Sequence, residues 1–182
     1  MLKRLPQKID PCKYTDQGVI LEGVITQEES SKDFLRFNES ILEYSSDITY
    51  YLKFDIDLLD NRYVIGTLST QVVLQCQRCL NNFNFDIHCD LSTAFASNEA
   101  QEKKASESNY NDILRIPRRE YLDPKRLIED ELLLALPQIA MHELSQCDAE
   151  VVFLEDDSTS KNTDKIEQME THPFAILKQL KK

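Results

Sequence analysis

Five cysteines are spread over the 182 residues, at positions 12, 76, 79, 89 and 147, and two of them stand in the run Cys76-Gln77-Arg78-Cys79. Two thiolates separated by two residues can face one cation from a tight turn, and a structural zinc needs two further Cys or His ligands to close its tetrahedron. The second cluster that offers them is His142 with Cys147. Zinc held by Cys76, Cys79, His142 and Cys147 is therefore the metal reading. A redox pair is another reading of Cys-x-x-Cys, but it needs the first cysteine at a helix N-terminus within a strand–helix–strand unit. Here strand-like runs lie on both sides. The plain alternative is two ordinary thiols in a hairpin loop. Cys89 falls on an apolar strand face and reads as core, and Cys12 has no evident partner.

Other chemistries find less support. Paired carboxylates can act as acid and base, but Glu129, Asp130 and Glu131 are consecutive and fan by roughly 100° each around a helix. A solvated polar face is the expectation. His88 alternates outward on its strand with no nucleophile at an inferable distance, so no catalytic triad can be assembled. Gly18, Gly23 and Gly66 are the only glycines, too few and too scattered for a phosphate-cradling loop. The chain reads as a non-enzyme.

The cations are grouped. Arg115, Arg118, Arg119, Lys125 and Arg126 set five positive charges against two negative in residues 115–126, residues 1–13 carry four against one, and the last ten carry three and none. Patches of this kind neutralise phosphates and make those five residues candidates for RNA contact; charge balance with neighbouring acids is the alternative. The whole chain is acidic, with 32 Asp and Glu against 21 Lys and Arg and a net charge of −11. That excludes a protein coated in basic charge.

The elements that must position these residues follow from periodicity. Ile48, Tyr50, Leu52, Phe54, Ile56 and Leu58 alternate with polar residues, as do Val64, Leu68, Val72, Leu74 and Cys76, and then Phe83, Phe85, Ile87, Cys89 and Leu91. A period of 2 predicts three strands with one face on a core, joined as an antiparallel meander. Residues 19–25 add a fourth strand. Segments 28–37 and 38–44 are ambiguous between helix and loop, and 97–111 reads as a loop. Asp123-Pro124 starts a helix in which Ile128, Leu132, Ala135 and Leu136 form an apolar stripe that Leu133 and Leu134 widen; Pro137 ends it. Residues 154–172 hold six acidic and two basic residues and no aromatic, the composition of a flexible linker. The closing segment, 173–182, predicts a short amphipathic helix offering Phe174, Leu177 and Leu180 for docking, on its own domain or on a ribosomal partner. The expected fold is thus α+β: one domain over 1–153, an acidic linker over 154–172, and a docking segment over 173–182.

Length and composition agree with that. A hydrophobic fraction of 41% with fifteen Phe and Tyr suffices for a packed core. No run approaches the ~20 apolar residues of a membrane span, and the start lacks the apolar stretch of a signal peptide. The expectation is a soluble intracellular protein.

Three stretches taken in order resemble one bacterial family. They are Val72 to Leu80 with its Cys76-Gln77-Arg78-Cys79-Leu80 end, Ile128 to Pro137 with its Glu129-Asp130-Glu131 start, and Pro173 to Leu180. Their spacing is similar to that of the YceD family, the large ribosomal RNA subunit accumulation proteins, and the short basic lead ending in Asp10-Pro11 is similar as well. The resemblance implies a cytoplasmic role in maintaining large-subunit ribosomal RNA or its precursor, with that RNA or assembling ribosomal proteins as partners and no established catalytic activity. Some relatives carry further cysteines after the helix; this chain keeps only His142 and Cys147 there.

Overall fold

A computed structural model describes residues 5–117 and 120–147, which fall in one compact unit, Met1–Ala149. The expected linker and the docking residues Phe174, Leu177 and Leu180 lie outside the described residues.

Asp10 opens the first helix, α1 (Pro11–Asp16), by accepting from the Cys12 N–H at 3.1 Å, with Pro11 at a position where an N–H is not needed. Strand β1 (Ile20–Ile25) follows, as expected from residues 19–25. The ambiguous stretches resolve into α2 (Gln27–Asp33), capped by the Thr26 hydroxyl, the four-residue α3 (Leu35–Asn38), and the two-residue β2 (Glu43–Tyr44). The three alternating runs form β3 (Ile48–Ile56), β4 (Arg62–Gln75) and β5 (Asn82–Ala96). They pair antiparallel in sequence, and β4 with β5 keeps register from Arg62 opposite Phe95 to Gln75 opposite Asn82. Then come α4 (Glu99–Ser106), β6 (Asp112–Arg115), α5 (Pro124–Ala135) and a 3-10 turn, Leu144–Gln146.

The sheet runs β1-β3-β4-β5-β6, with β2 also pairing on β4. The fold is α+β. Alternate residues of β3 and β4, among them Leu52, Phe54, Val64, Leu68 and Val72, are fully covered. Phe34 and Phe37 and the α5 residues Ile128 and Leu132 pack on that face. Each such side chain contributes roughly 1.5–3 kcal/mol of transfer free energy. Arg62 ties α1 to β4 by donating to the Cys12 carbonyl, the Thr15 hydroxyl and Asp16.

Several expectations are corrected. Residues 97–111 are not all loop: Asn98 caps α4, which has acids in its first turn and lysines in its last, and buries only Ala105. A helix without an apolar stripe gives no periodic signal. The sheet is not wholly antiparallel, because β6 pairs parallel to β5 across the α4 connection. Leu58 does not face the core but is fully exposed, because β3 ends at Ile56 and the Asp57 carboxylate takes the N–H groups of Leu59 and Asn61 into a turn. Leu134 is 80% exposed and does not widen the buried stripe of α5.

Glu129 is the sharpest departure from a solvated face. Its side chain is 7% exposed. It accepts from the backbone N–H of Arg36 at 2.9 Å and of Phe37 at 3.3 Å, and from the Arg36 guanidinium at 3.1 and 2.7 Å. Helix α3 begins after Phe34, which has no side-chain oxygen to cap it. Glu129 supplies that cap from α5.

Candidate metal centre and the basic residues

The Cys-x-x-Cys run occupies the turn between β4 and β5. The turn is closed twice, by the Leu80 N–H to the Cys76 carbonyl and by the Cys76 N–H to the Asn81 carbonyl, both at 2.9 Å. Leu80 takes φ +63°, a left-handed conformation unusual for a branched side chain. This geometry folds Cys76 and Cys79 back toward one point. The other two donors arrive on the chain after α5, which leaves the helix at Leu136 in the extended backbone expected of a residue before proline. The Gln77 N–H donates to the Ala140 carbonyl at 2.8 Å and clips that segment onto the turn. His142 then packs against Phe83 of β5 with ring centres 5.3 Å apart and the planes tilted by 45°.

The donor atoms of Cys76, Cys79, His142 and Cys147 lie within 4.8 Å of one another. Cys79 Sγ and His142 Nε2 are 3.7 Å apart. Around a tetrahedral zinc, with metal–ligand bonds of about 2.0–2.3 Å, neighbouring donors stand roughly 3.6–3.8 Å apart. His142 Nδ1 is buried with no hydrogen-bond partner among the described residues. Cys76 is wholly buried, while Cys79, His142 and Cys147 are half-buried.

The electrostatics suit a cation. Desolvation pushes the Cys76 thiol up, but the N–H groups of Cys79, Arg78 and His142, with the Cys79 side chain, outweigh it and hold the thiol down to about 6. The Arg78 N–H stands 3.5 Å from this sulfur. Cys79 is pushed up, first by desolvation and then by Cys76 and Cys147 beside it. Thiols crowded in this way resist joint ionisation unless a positive charge sits among them. The residues present therefore fit zinc. A redox pair does not fit the setting, because β4 and β5 rather than a helix flank the turn. Cys89, half-buried on β5, is pushed up to about 11 by desolvation, then by Glu131 and Asp90; it is a structural thiol. The sequence reading missed the parts that assemble the centre, the Gln77–Ala140 clip and the His142–Phe83 contact, neither of which has a local signature.

The basic candidates are distributed unevenly. Arg115 lies 3.7 Å from Glu99 and 4.0 Å from Glu102 with its side chain about half exposed. Lys125 pairs with Asp33 between α5 and α2. Arg126 is exposed and makes no ion pair among the described residues. Arg118 and Arg119 lie outside the described residues, between Pro117 and Glu120. One arrangement was not foreseen: Ile9 and Leu122 form an antiparallel bridge with reciprocal 2.8 Å hydrogen bonds. It sets the chain at Lys8 and Ile9 beside Leu122. Among the described residues no helix is long and apolar enough to cross a membrane.

Comparison with known proteins adds to this geometry. A curated protein of Haemophilus influenzae named "Large ribosomal RNA subunit accumulation protein YceD" is 27% identical over 187 residues, covering 98% of this chain and 97% of that protein. No solved structure matches. The family model described as "Large ribosomal RNA subunit accumulation protein YceD" matches residues 64–181, which hold all four donors of the Cys/His centre, and on that match the chain belongs to the YceD family.

Proposed function

We propose that this chain is a non-enzymatic, cytoplasmic ribosome-biogenesis factor that supports the synthesis, processing or accumulation of large-subunit (23S) ribosomal RNA. The observation that carries this reading is its family membership, with a near-full-length relative named for that role. RNA contact falls to Arg115, Arg118, Arg119, Lys125 and Arg126, and the Ile9–Leu122 bridge supports the assignment by bringing the chain at Lys8 beside Leu122. Deleting the gene and comparing large- with small-subunit ribosomal RNA tests the reading. The large-subunit species should fall, and an unchanged ratio would overturn the proposal.

The Cys/His centre has a structural role in this reading. Zinc bound by Cys76, Cys79, His142 and Cys147 would join the β4–β5 turn to the segment after α5 and supply no reactive position, since four protein ligands close its coordination. Elemental zinc per chain, measured after purification without added metal, should approach one in the wild type and be lost in Cys79→Ser. A metal-free, stably folded wild type would end the zinc reading. A second reading, a zinc-stabilised protein-binding module without RNA contact, is favoured by a separate observation at the rim of this centre.

A further inference from the structure

The two segments that carry the four donors also carry a group of exposed apolar side chains. Leu80 is 63% exposed, Ile139 61%, Met141 45% and Leu144 61%. Single exposed apolar residues are ordinary, but here four stand on two segments that the Gln77–Ala140 hydrogen bond holds side by side, which concentrates apolar surface at one rim. Beside it runs a groove of about 170 Å³ whose walls include Gln77 and Ala140 on one side and Ile41 and Leu42 on the other. Ile41 and Leu42 also line a second hollow of about 410 Å³ that reaches Gln27 and Tyr44. Leu42 is 54% exposed between the two.

Charge divides this surface. At the metal end, the Arg78 guanidinium has Nη1 buried without a hydrogen-bond partner, and Nη2 meets only the Met141 sulfur, at 3.5 Å. No carboxylate pairs with it among the described residues. At the other end, the exposed acids Glu39 and Glu43 likewise form no ion pair among the described residues. A buried guanidinium nitrogen without an acceptor costs on the order of a lost hydrogen bond, and a carboxylate arriving at Nη2, which lies in the exposed contact with Met141, would pair with the uncompensated charge.

We propose that the rim of the Cys/His centre and the groove leading from it toward Glu39 and Glu43 form a docking surface for an extended segment of a basic partner protein. That segment is apolar along the groove, presents a carboxylate to Arg78, and offers Lys or Arg to Glu39 and Glu43. RNA is disfavoured, since a phosphate chain would meet Glu39, Glu43 and Glu143 against the single Arg78. A second copy is disfavoured by a net charge of −11 on each chain. This goes beyond the RNA reading and stands on the surface alone.

The test places a photo-crosslinking amino acid at Leu80 and, separately, at Leu42 of the full chain in cells, with Thr67, nine residues back from Cys76 along β4, as control. Both positions should give an adduct to the same protein, identified by mass spectrometry, and Thr67 should not. Arg78→Glu should lower the yield by about fivefold or more, the loss of one anchoring contact. Leu144→Asp changes an exposed side chain and leaves the Leu144 carbonyl to accept from the Cys147 N–H, so it should do the same with zinc content and melting midpoint held. A synthetic peptide covering the crosslinked stretch should bind the purified chain, and more weakly once its carboxylate is made an amide. No adduct, an adduct to RNA or to this chain alone, identical adducts from Thr67, or yields unmoved by both substitutions would overturn the proposal. The ribosomal RNA ratio in the same strains reports on the RNA reading separately.

Discussion

Replacing Glu129 by alanine removes the acceptor that α5 lends to α3. Four hydrogen bonds end on this carboxylate, two from the backbone of Arg36 and Phe37 and two from the Arg36 guanidinium. The guanidinium retains Asp130, 2.7 Å away, and both side chains are more than half exposed, so solvent screening makes that part of the loss small. The two backbone donors decide it. Losing a helix cap costs about 1 kcal/mol, and leaving the buried Phe37 N–H without an acceptor adds about 1–2 kcal/mol. Glu129→Ala should therefore destabilise the protein by about 2–3 kcal/mol, a fall in melting midpoint of roughly 5–10 °C at this chain length.

Urea unfolding is the cleaner assay, because an unchanged slope certifies that the shift in midpoint is one of stability. Glu129→Gln keeps a neutral acceptor of the same shape, and its loss should be nearer 1 kcal/mol. Amide exchange at Phe37 should quicken in the alanine variant more than exchange in β4. A loss within about 0.5 kcal/mol for alanine, the ordinary surface value, or a glutamine variant as damaged as the alanine one, would refute the capping assignment.

Three further outcomes are expected. Desolvation pushes the Asp57 carboxyl up, but the Tyr110 hydroxyl, both Asn61 donors and the Leu59 N–H outweigh it and hold it below the usual carboxylate range. Ionised Asp57 thus stabilises the fold above the unfolded value of about 3.9 and ceases to as pH falls through its lower folded value. Asp57→Asn should be less stable than wild type at pH 7, and the gap should close below about pH 4; a gap constant across that range sinks the account. Changing Arg118 and Arg119 to Glu should reduce retention of large-subunit RNA without unfolding the domain, and wild-type binding should weaken steeply with salt; retention unaltered by the change would make the run mere charge balance. Removing residues 173–182 should leave the melting midpoint in place if Phe174, Leu177 and Leu180 serve a partner, whereas a fall of several degrees would assign them to the core.

What could be read from the sequence was what repeats locally. Strands β3, β4 and β5 bury alternate residues over long stretches, so a period of 2 places Leu52, Val64 and Ile87 on one face before any partner is known. The same rule overran at Leu58, because the strand ends where the Asp57 side chain bonds forward to Leu59 and Asn61, an event that hydropathy does not register. It found nothing in α4, whose single buried residue is Ala105, or in β6, whose Ile113 and Leu114 sit in a polar stretch too short to alternate. Glu129 was misread for a related reason: its polarity is local, but its donors lie 93 and 92 residues away. The Cys/His centre falls between these cases. Cys76 and Cys79 announce themselves by spacing, whereas His142 and Cys147 become ligand candidates in space only because α5 packs on the sheet and the Gln77 N–H captures the Ala140 carbonyl. Residue type named the donors, and a backbone hydrogen bond with no side-chain signature brings them together. The same contact sets the exposed Leu80, Ile139, Met141 and Leu144 on one rim, which is why that surface, too, is visible only once the chain is folded.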